Sequence, residues 1–324
     1  LKLENGDTKR FVDRWTPSVF VASDDKSDLE LLTKAKQVEP GVLWSRSVKK
    51  YEQIIDQSKS EVLEFIGKDA KKNLELARAV ERLGAFGRYR IYNADVPPNQ
   101  MYLYEHDLFP LAYCEVSESA QGLSWALMDD VWALDYRLPN FRSANVKVSV
   151  NKEGRIPKFT DPVEAISIES DDEKITLSSG SEQDKILSMV EAVKRLDPDF
   201  IFTENGDAFV LPYLITRAEK NGVERFALDR DETVLRLPAK PGTSYFSYGK
   251  ILFKPSAMKL YGRVHLDMVS SFVCNESGPD GLFELSRVCR LPLQTSSRAS
   301  IGKALSSLQF YHATKQDILI PWKP

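Results

Sequence analysis

The loop Glu204-Asn205-Gly206-Asp207 holds residue types that could do chemistry. Its two carboxylates offer hard anionic oxygens of the kind that divalent cations such as Mg²⁺ and Mn²⁺ take as ligands. The plainer reading, and the one we take, makes them loop carboxylates facing water. Phe209 follows closely; an exposed aromatic there could stack on a nucleobase, and a buried one would be core beneath the next helix. The sequence leaves both readings open. His265 lies in a strand pattern and His312 on a helical one beside Tyr311, with no nucleophile or metal partner at a useful spacing, so both read as structural. Cys114, Cys274 and Cys289 are far apart and lack C-x-x-C spacing. They read as reduced, mostly buried thiols, which argues against a zinc site.

These residues need elements to position them. Phe200 to Thr203 is a short apolar run fit for a buried strand, and Pro212 opens a helix that stops at Asn221-Gly222. Val146 to Val150 and Val163 to Ile168 read as strands around a polar loop containing Gly154 and Pro157. Asp184 to Leu196 places Ile186, Met189, Val190, Val193 and Leu196 at helical spacing, and Asp197-Pro198 breaks it. Strand, helix, strand, loop and helix make an α/β region.

Nearer the N-terminus, residues 1–23 read as a hairpin: an alternating run, the Asn5-Gly6 turn, Lys9 to Trp15, and the apolar run Val19 to Ala22. Asp69 to Leu83 puts Leu74, Ala77, Val80 and Leu83 on one helical face, with Gly84 ending it. The aromatic-rich stretch Tyr102 to Leu111 reads as core of a small α+β domain, and Leu138 to Arg142 separates it from the α/β region. Near the other end, Ser300 caps a helix whose inner face would be Ile301, Ala304, Leu305, Leu308 and Tyr311. Ile318 to Pro324 reads as a strand or linker, and with the strand-like start at Leu1 it suggests a fragment.

The bulk numbers fit this division. A length of 324 residues suggests two domains, and 42% hydrophobic with 28% charged residues is an ordinary globular balance. No apolar run is long enough to cross a bilayer, so we expect no membrane role and a cytoplasmic location. A net charge of −3 supplies no global attraction to nucleic acid, although a local basic groove could. Arg88-Tyr89-Arg90, and Lys147 with Lys152 and Arg155, are the basic clusters to consider; such clusters are usually solvated faces.

The stretch Phe200-Ile201-Phe202-Thr203-Glu204-Asn205-Gly206-Asp207-Ala208-Phe209-Val210-Leu211-Pro212-Tyr213-Leu214 resembles the second exonuclease motif of family B DNA polymerases. Tyr248-Gly249-Lys250 and Tyr261-Gly262-Arg263-Val264-His265-Leu266-Asp267 are similar to the hairpin and strand that follow it. Ser296 to Gly302 and Pro321 to Pro324 resemble the exit toward the palm, and Tyr104 to Leu111 the end of the N-terminal domain. The similarity runs in the family's order over nearly the whole chain and is most like the archaeal branch. It implies an N-terminal α+β domain over residues 1–142. An RNase H-like 3′→5′ exonuclease-type domain with a central mixed sheet would follow over 143–324. The family's Asn-Gly-Asp turn explains Asp207 as a turn residue.

That exonuclease reaction uses two divalent ions held by carboxylates. Here Ser149 and Asn151 stand where the first strand should carry Asp and Glu, and Val210 stands at the carboxylate position of the second motif. The third motif, Tyr-x-x-x-Asp, has no counterpart between Asp267 and Leu285. Glu153 and Asp267 are rival ligands, read like Glu204 as loop carboxylates. We therefore expect no catalytic residue, no metal site and no cofactor in this stretch, with Mg²⁺ needed only in a palm that the sequence does not include. The resemblance implies template DNA and a single-stranded 3′ end as partners, met by Asn205, Asp207 and Phe209. It also implies a sliding clamp or a separate palm-bearing chain. The rival readings are a non-catalytic paralogue or split-polymerase subunit, and an active nuclease with relocated ligands.

Overall fold

A computed structural model describes residues 1–324 except 36, 37, 39, 40, 121, 248, 323 and 324. The chain forms two compact units: Phe11–Tyr136, Glu284–Pro292 and Ile301–Pro324 make one, and Leu1–Arg10, Arg137–Phe283 and Leu293–Ser300 the other. Neither is contiguous in sequence.

The first unit is built on a four-stranded antiparallel sheet. Its strands are β1 (Ser18–Ala22), β2 (Val42–Lys50), β3 (Ser60–Gly67) and β4 (Arg90–Tyr92), in the order β2-β3-β1-β4. All five β1 residues are buried, because side chains alternate between two covered faces. Val19 and Val21 join Leu63 and Phe65 against α1 (Lys26–Thr33) and α2 (Asn73–Leu83). Phe20 and Ala22 join Val62, Tyr92 and Leu319 on the other side. Next come α3 (Pro98–Glu105) and the two-stranded ribbon of β5 (Cys114–Ser119) and β6 (Gly122–Leu127).

Three expectations change here. α2 buries Asn73, Leu76, Ala77 and Val80 and leaves Leu74 and Leu83 exposed, because Asn73 Nδ2 finds the Pro17 carbonyl at 3.0 Å. The helix Ile301–Lys315 buries Ala304 and Ser307, while Ile301 and Leu305 face outward. The expected hairpin over residues 1–23 shrinks to one isolated bridge, Lys2 with Thr8, and β1 pairs elsewhere. Tyr104 and Phe109 are buried as expected of a core. Leu319 and Ile320 are buried beside bridges from Ile318 to Tyr51 and from Pro321 to Tyr92.

The second unit carries a mixed sheet. β7 (Ser143–Val150), β8 (Val163–Ser170), β9 (Lys174–Leu177), β10 (Phe200–Thr203) and β13 (Val264–Asp267) lie in the order β13-β10-β7-β8-β9. The pairs β13/β10 and β10/β7 are parallel; β7/β8 and β8/β9 are antiparallel. β9 was not anticipated. The connections into β10 and out of it are α4 (Glu182–Leu196) and α5 (Leu211–Lys220). Ser181 and Asp184 form a capping box at the start of α4, and Asp197 ends it in the left-handed region, at φ 43°. Both helices pack on Val146, Ile166, Ile168 and Ile201, forming one core with Ile186, Met189, Leu211 and Leu214. β11 (Gly242–Ser247) and β12 (Lys250–Pro255) form a separate antiparallel hairpin; Tyr248, part of the resemblance, lies outside the described residues. No helix among the described residues is long and apolar enough to cross a membrane.

Candidate functional site

Parallel pairing sets Thr203 of β10 beside Val146 of β7 and Asp267 of β13, so three neighbouring strands run toward the same end. In open parallel sheets that end is where ligands gather. β7 continues from there through Ser149 to Val150, Asn151 follows it, and the side chains of Ser149 and Asn151 are exposed. The flanking Val148 and Val150 turn the other way and pack on the core cluster that also contains Val210. Ser149, Asn151 and Val210 thus carry a hydroxyl, an amide and a buried isopropyl group. Among the described residues, no group of three or more His, Cys, Asp or Glu side chains could hold a metal ion.

The loop after β10 begins with Asn205 in the left-handed region, at φ 60° and ψ 35°, a conformation that asparagine tolerates. A π-helical turn over Gly206–Val210 follows and leads into α5. Gly206 fits because a Cβ there would lie 1.8 Å from Thr203 Oγ1 and 2.6 Å from His265 Nε2.

Asp207 and Asp267 correct the reading of this loop as solvated. They are 4% and 1% exposed. Asp207 Oδ1 accepts from Met258 N at 2.8 Å and from Arg298 Nη2 at 2.9 Å, while Oδ2 accepts from Arg298 Nε at 2.5 Å. Asp267 Oδ2 accepts from Asp207 N at 3.1 Å and Ser270 Oγ at 2.8 Å, and its Oδ1 from Val269 N at 3.2 Å. Arg298 Nη1 also donates to the carbonyls of Gln294 and His265. Every carboxylate oxygen is occupied, so the pair works as internal structure. Glu204 and Glu153 do face water, and Glu204 pairs with Lys147 at 3.2 Å.

His265 completes this buried network. Its Nδ1 donates to the Met258 carbonyl at 2.6 Å, which leaves Nε2 to accept the Thr203 hydroxyl at 2.8 Å. Burial first, and the Arg298 guanidinium second, push its pKa down, so the ring is neutral. His312 lies exposed on its helix.

Asn205 is exposed. Phe209 is half-buried: it stacks on Tyr213 at 5.1 Å, meets Phe159 edge-on at 5.5 Å, and packs against the core. Of the basic clusters, Arg90 is bound to Glu52 and Asp24, Arg88 lies 3.6 Å from Asp28, and Lys152 Nζ donates to the Arg155 carbonyl. Cys274 and Cys289 are buried and Cys114 is half-buried, all as free thiols. The sequence reading missed Arg298. Its partner Asp207 is 91 residues away, and no local spacing connects them.

Residues 144–277 match the sequence model of the DNA polymerase family B exonuclease domain. The chain is 41% identical over 88 residues to a DNA polymerase of Thermococcus litoralis, covering 27% of this chain and 4% of that protein. It is 26% identical over 194 residues to a DNA polymerase of Archaeoglobus fulgidus, covering 57% of this chain and 22% of that protein. The solved family B DNA polymerase of Pyrobaculum calidifontis shares the fold with a TM-score of 0.72 at 19% identity, over 96% of this chain and 47% of that one. The chain therefore spans about half of that solved polymerase and a smaller share of the two curated relatives. The mixed sheet is that of an RNase H-like exonuclease domain, preceded by an α+β region. Residues 144–277 thus match the DNA polymerase family B exonuclease domain, and parts of the chain are similar to archaeal DNA polymerases.

Proposed function

We propose that this chain is the front part of a family B DNA-directed DNA polymerase in which the exonuclease-type domain binds and positions DNA without cleaving it. The observation that carries the reading is the fate of the carboxylates. Ser149, Asn151 and Val210 stand at the ligand positions, and the buried Asp207 and Asp267 spend every oxygen on protein donors. Two-metal hydrolysis needs anionic oxygens to seat its ions and to offset the charge that develops on the leaving oxygen. Neutral hydroxyl, amide and alkyl groups supply neither. Asn205, exposed at the head of the loop, and the ring of Phe209 meet the single-stranded 3′ end. Asp207 acts from below, by anchoring the turn that presents them. Residues 1–142 support the template, and nucleotide transfer belongs to a palm, in the same polypeptide or a separate chain.

The test is a degradation assay on a 5′-labelled single-stranded oligonucleotide with Mg²⁺ or Mn²⁺. The purified chain should leave the oligonucleotide intact. Stepwise 3′ shortening that Asp207→Ala abolishes would replace this reading with a nuclease of relocated ligands. Binding is tested separately: Asn205→Ala with Phe209→Ala should weaken oligonucleotide affinity by about tenfold, given about 1–3 kcal/mol for each stacked base.

A further inference from the structure

Charge is spread unevenly along this chain. Residues 91–136 contain no lysine or arginine, against 44 in the whole sequence, and carry eight aspartates and glutamates. Three of the eight are spent internally: Asp129 pairs with Arg287 at 2.9 Å, Asp107 with Arg290 at 3.1 Å, and Glu105 accepts from Trp15 Nε1 at 2.8 Å. Glu115, Glu118, Asp130 and Asp135 are exposed, and no ion pair engages them among the described residues.

Large apolar side chains stand in the same stretch. The ribbon of β5 and β6 turns Cys114, Val116, Trp125 and Leu127 to a half-buried face, and Glu115, Ser117, Ser124 and Ala126 to solvent. Met128 continues the exposed row, and Trp132 and Leu134 follow it; they are 57%, 64% and 90% exposed. Single apolar residues scattered on a surface are ordinary, but three within the seven residues from Met128 to Leu134 are a patch. Their backbone is held in place. Arg287, wholly buried, donates to the Leu111 and Asp130 carbonyls at 3.2 and 2.9 Å, and its guanidinium lies 3.6 Å from the centre of the Tyr136 ring. Asp130 closes the turn by accepting from Trp132 N at 2.9 Å and Ala133 N at 3.0 Å. Side chains carried on an ordered backbone give up less entropy when a partner binds.

We propose that Met128, Trp132 and Leu134, with the carboxylates of Glu115, Asp130 and Asp135, form a docking surface for a basic protein segment in which lysines or arginines are interspersed with large apolar side chains. Charge selects this occupant. Four exposed carboxylates without a counter-charge attract a cationic segment and repel the phosphates of nucleic acid and of anionic lipid. Trp132 and its apolar neighbours supply the anchor, and the carboxylates set the approach and the choice of partner.

The test uses the full chain and a fluorescein-labelled peptide of about twelve residues repeating Lys-Ser-Leu, beside a control in which serine replaces leucine. Fluorescence polarisation should show saturable binding that weakens with salt, with the control at least about tenfold weaker. Trp132→Ser with Leu134→Ser should lower affinity at least about tenfold. Glu115→Gln with Asp135→Asn should lower it about threefold and flatten the salt dependence. All four side chains are exposed, so unchanged thermal unfolding curves separate these effects from misfolding. In the unaltered chain, amide exchange should slow across residues 128–134 when the peptide is added. No saturable binding up to about 1 mM peptide, equal binding of the control, or equal affinity in the Trp132→Ser, Leu134→Ser variant would overturn the proposal. So would a concentration-dependent dimer that this variant dissolves, which would make the face an interface between copies of the chain, or an oligonucleotide that binds the unaltered chain and not the variant.

Discussion

Asp207 and Arg298 meet as a bidentate pair whose side chains are 2% and 7% exposed, and that burial sets the cost of disturbing it. Arg298→Ala would leave a carboxylate buried without its counter-charge. Urea denaturation should show a loss of about 3–5 kcal/mol. Arg298→Lys should recover only part of it, because an ammonium cannot span both oxygens. His265 gives the same site a pH dependence. Its folded pKa lies below the ordinary value of 6.5, so the unfolded chain takes up a proton that the folded chain refuses. Stability is therefore complete above about pH 6.5 and falls as the pH drops toward the folded value, by at most about 1.4 kcal/mol per pH unit. Arg298, Asp207 and Asp267 all face the ring, and His106, shifted the same way by burial, adds a contribution of the same sign. Denaturation at about pH 7.5 and about pH 5.5 should show a smaller loss for His265→Gln than for the parent chain.

At the scale of elements, the turn between β10 and α5 depends on a missing side chain. Gly206→Ala would drive a methyl group into the hydrogen bond between Thr203 and His265, and the backbone would have to shift to relieve it. Thermal unfolding should register a loss of about 1–3 kcal/mol. Elements whose burial follows from apolar spacing were legible in the sequence. The run from Ile186 to Val193 matches α4, and Phe200 to Thr203 is β10. α2 was legible as a helix but not in its orientation, because the leucines at 74 and 83 outweigh an asparagine in any hydrophobic pattern. Asn73 is inside only because the Pro17 carbonyl waits there. β9 escaped notice because only Ile175 and Leu177 are apolar in its four residues, and an edge strand needs no more. The loop carboxylates were misjudged for a related reason: the donors that make Asp207 and Asp267 structural come largely from distant stretches that composition does not connect.

The whole molecule comprises an α+β unit and a mixed-sheet unit, and it is similar to archaeal DNA polymerases over part of its length. If the chain supports DNA, its affinity for a primer-template should fall steeply with salt, through a handful of phosphate contacts and the counterions they release. An affinity that ignores salt would remove the template-supporting role and leave the fold untouched. Adding charge tests the proposed absence of metal-dependent cleavage from the other direction. Val210→Asp places a carboxylate in the core beside Leu211 and Val148, and should cost about 2–4 kcal/mol by urea denaturation without metal. Combined with Ser149→Asp and Asn151→Glu, part of that stability should return on adding Mn²⁺. The most direct measurement is an anomalous difference map from a crystal of the unaltered chain soaked in manganese. No ion should appear beside Ser149, Asn151 and Val210. Two peaks there, about 3.5–4 Å apart, would contradict the proposed loss of cleavage.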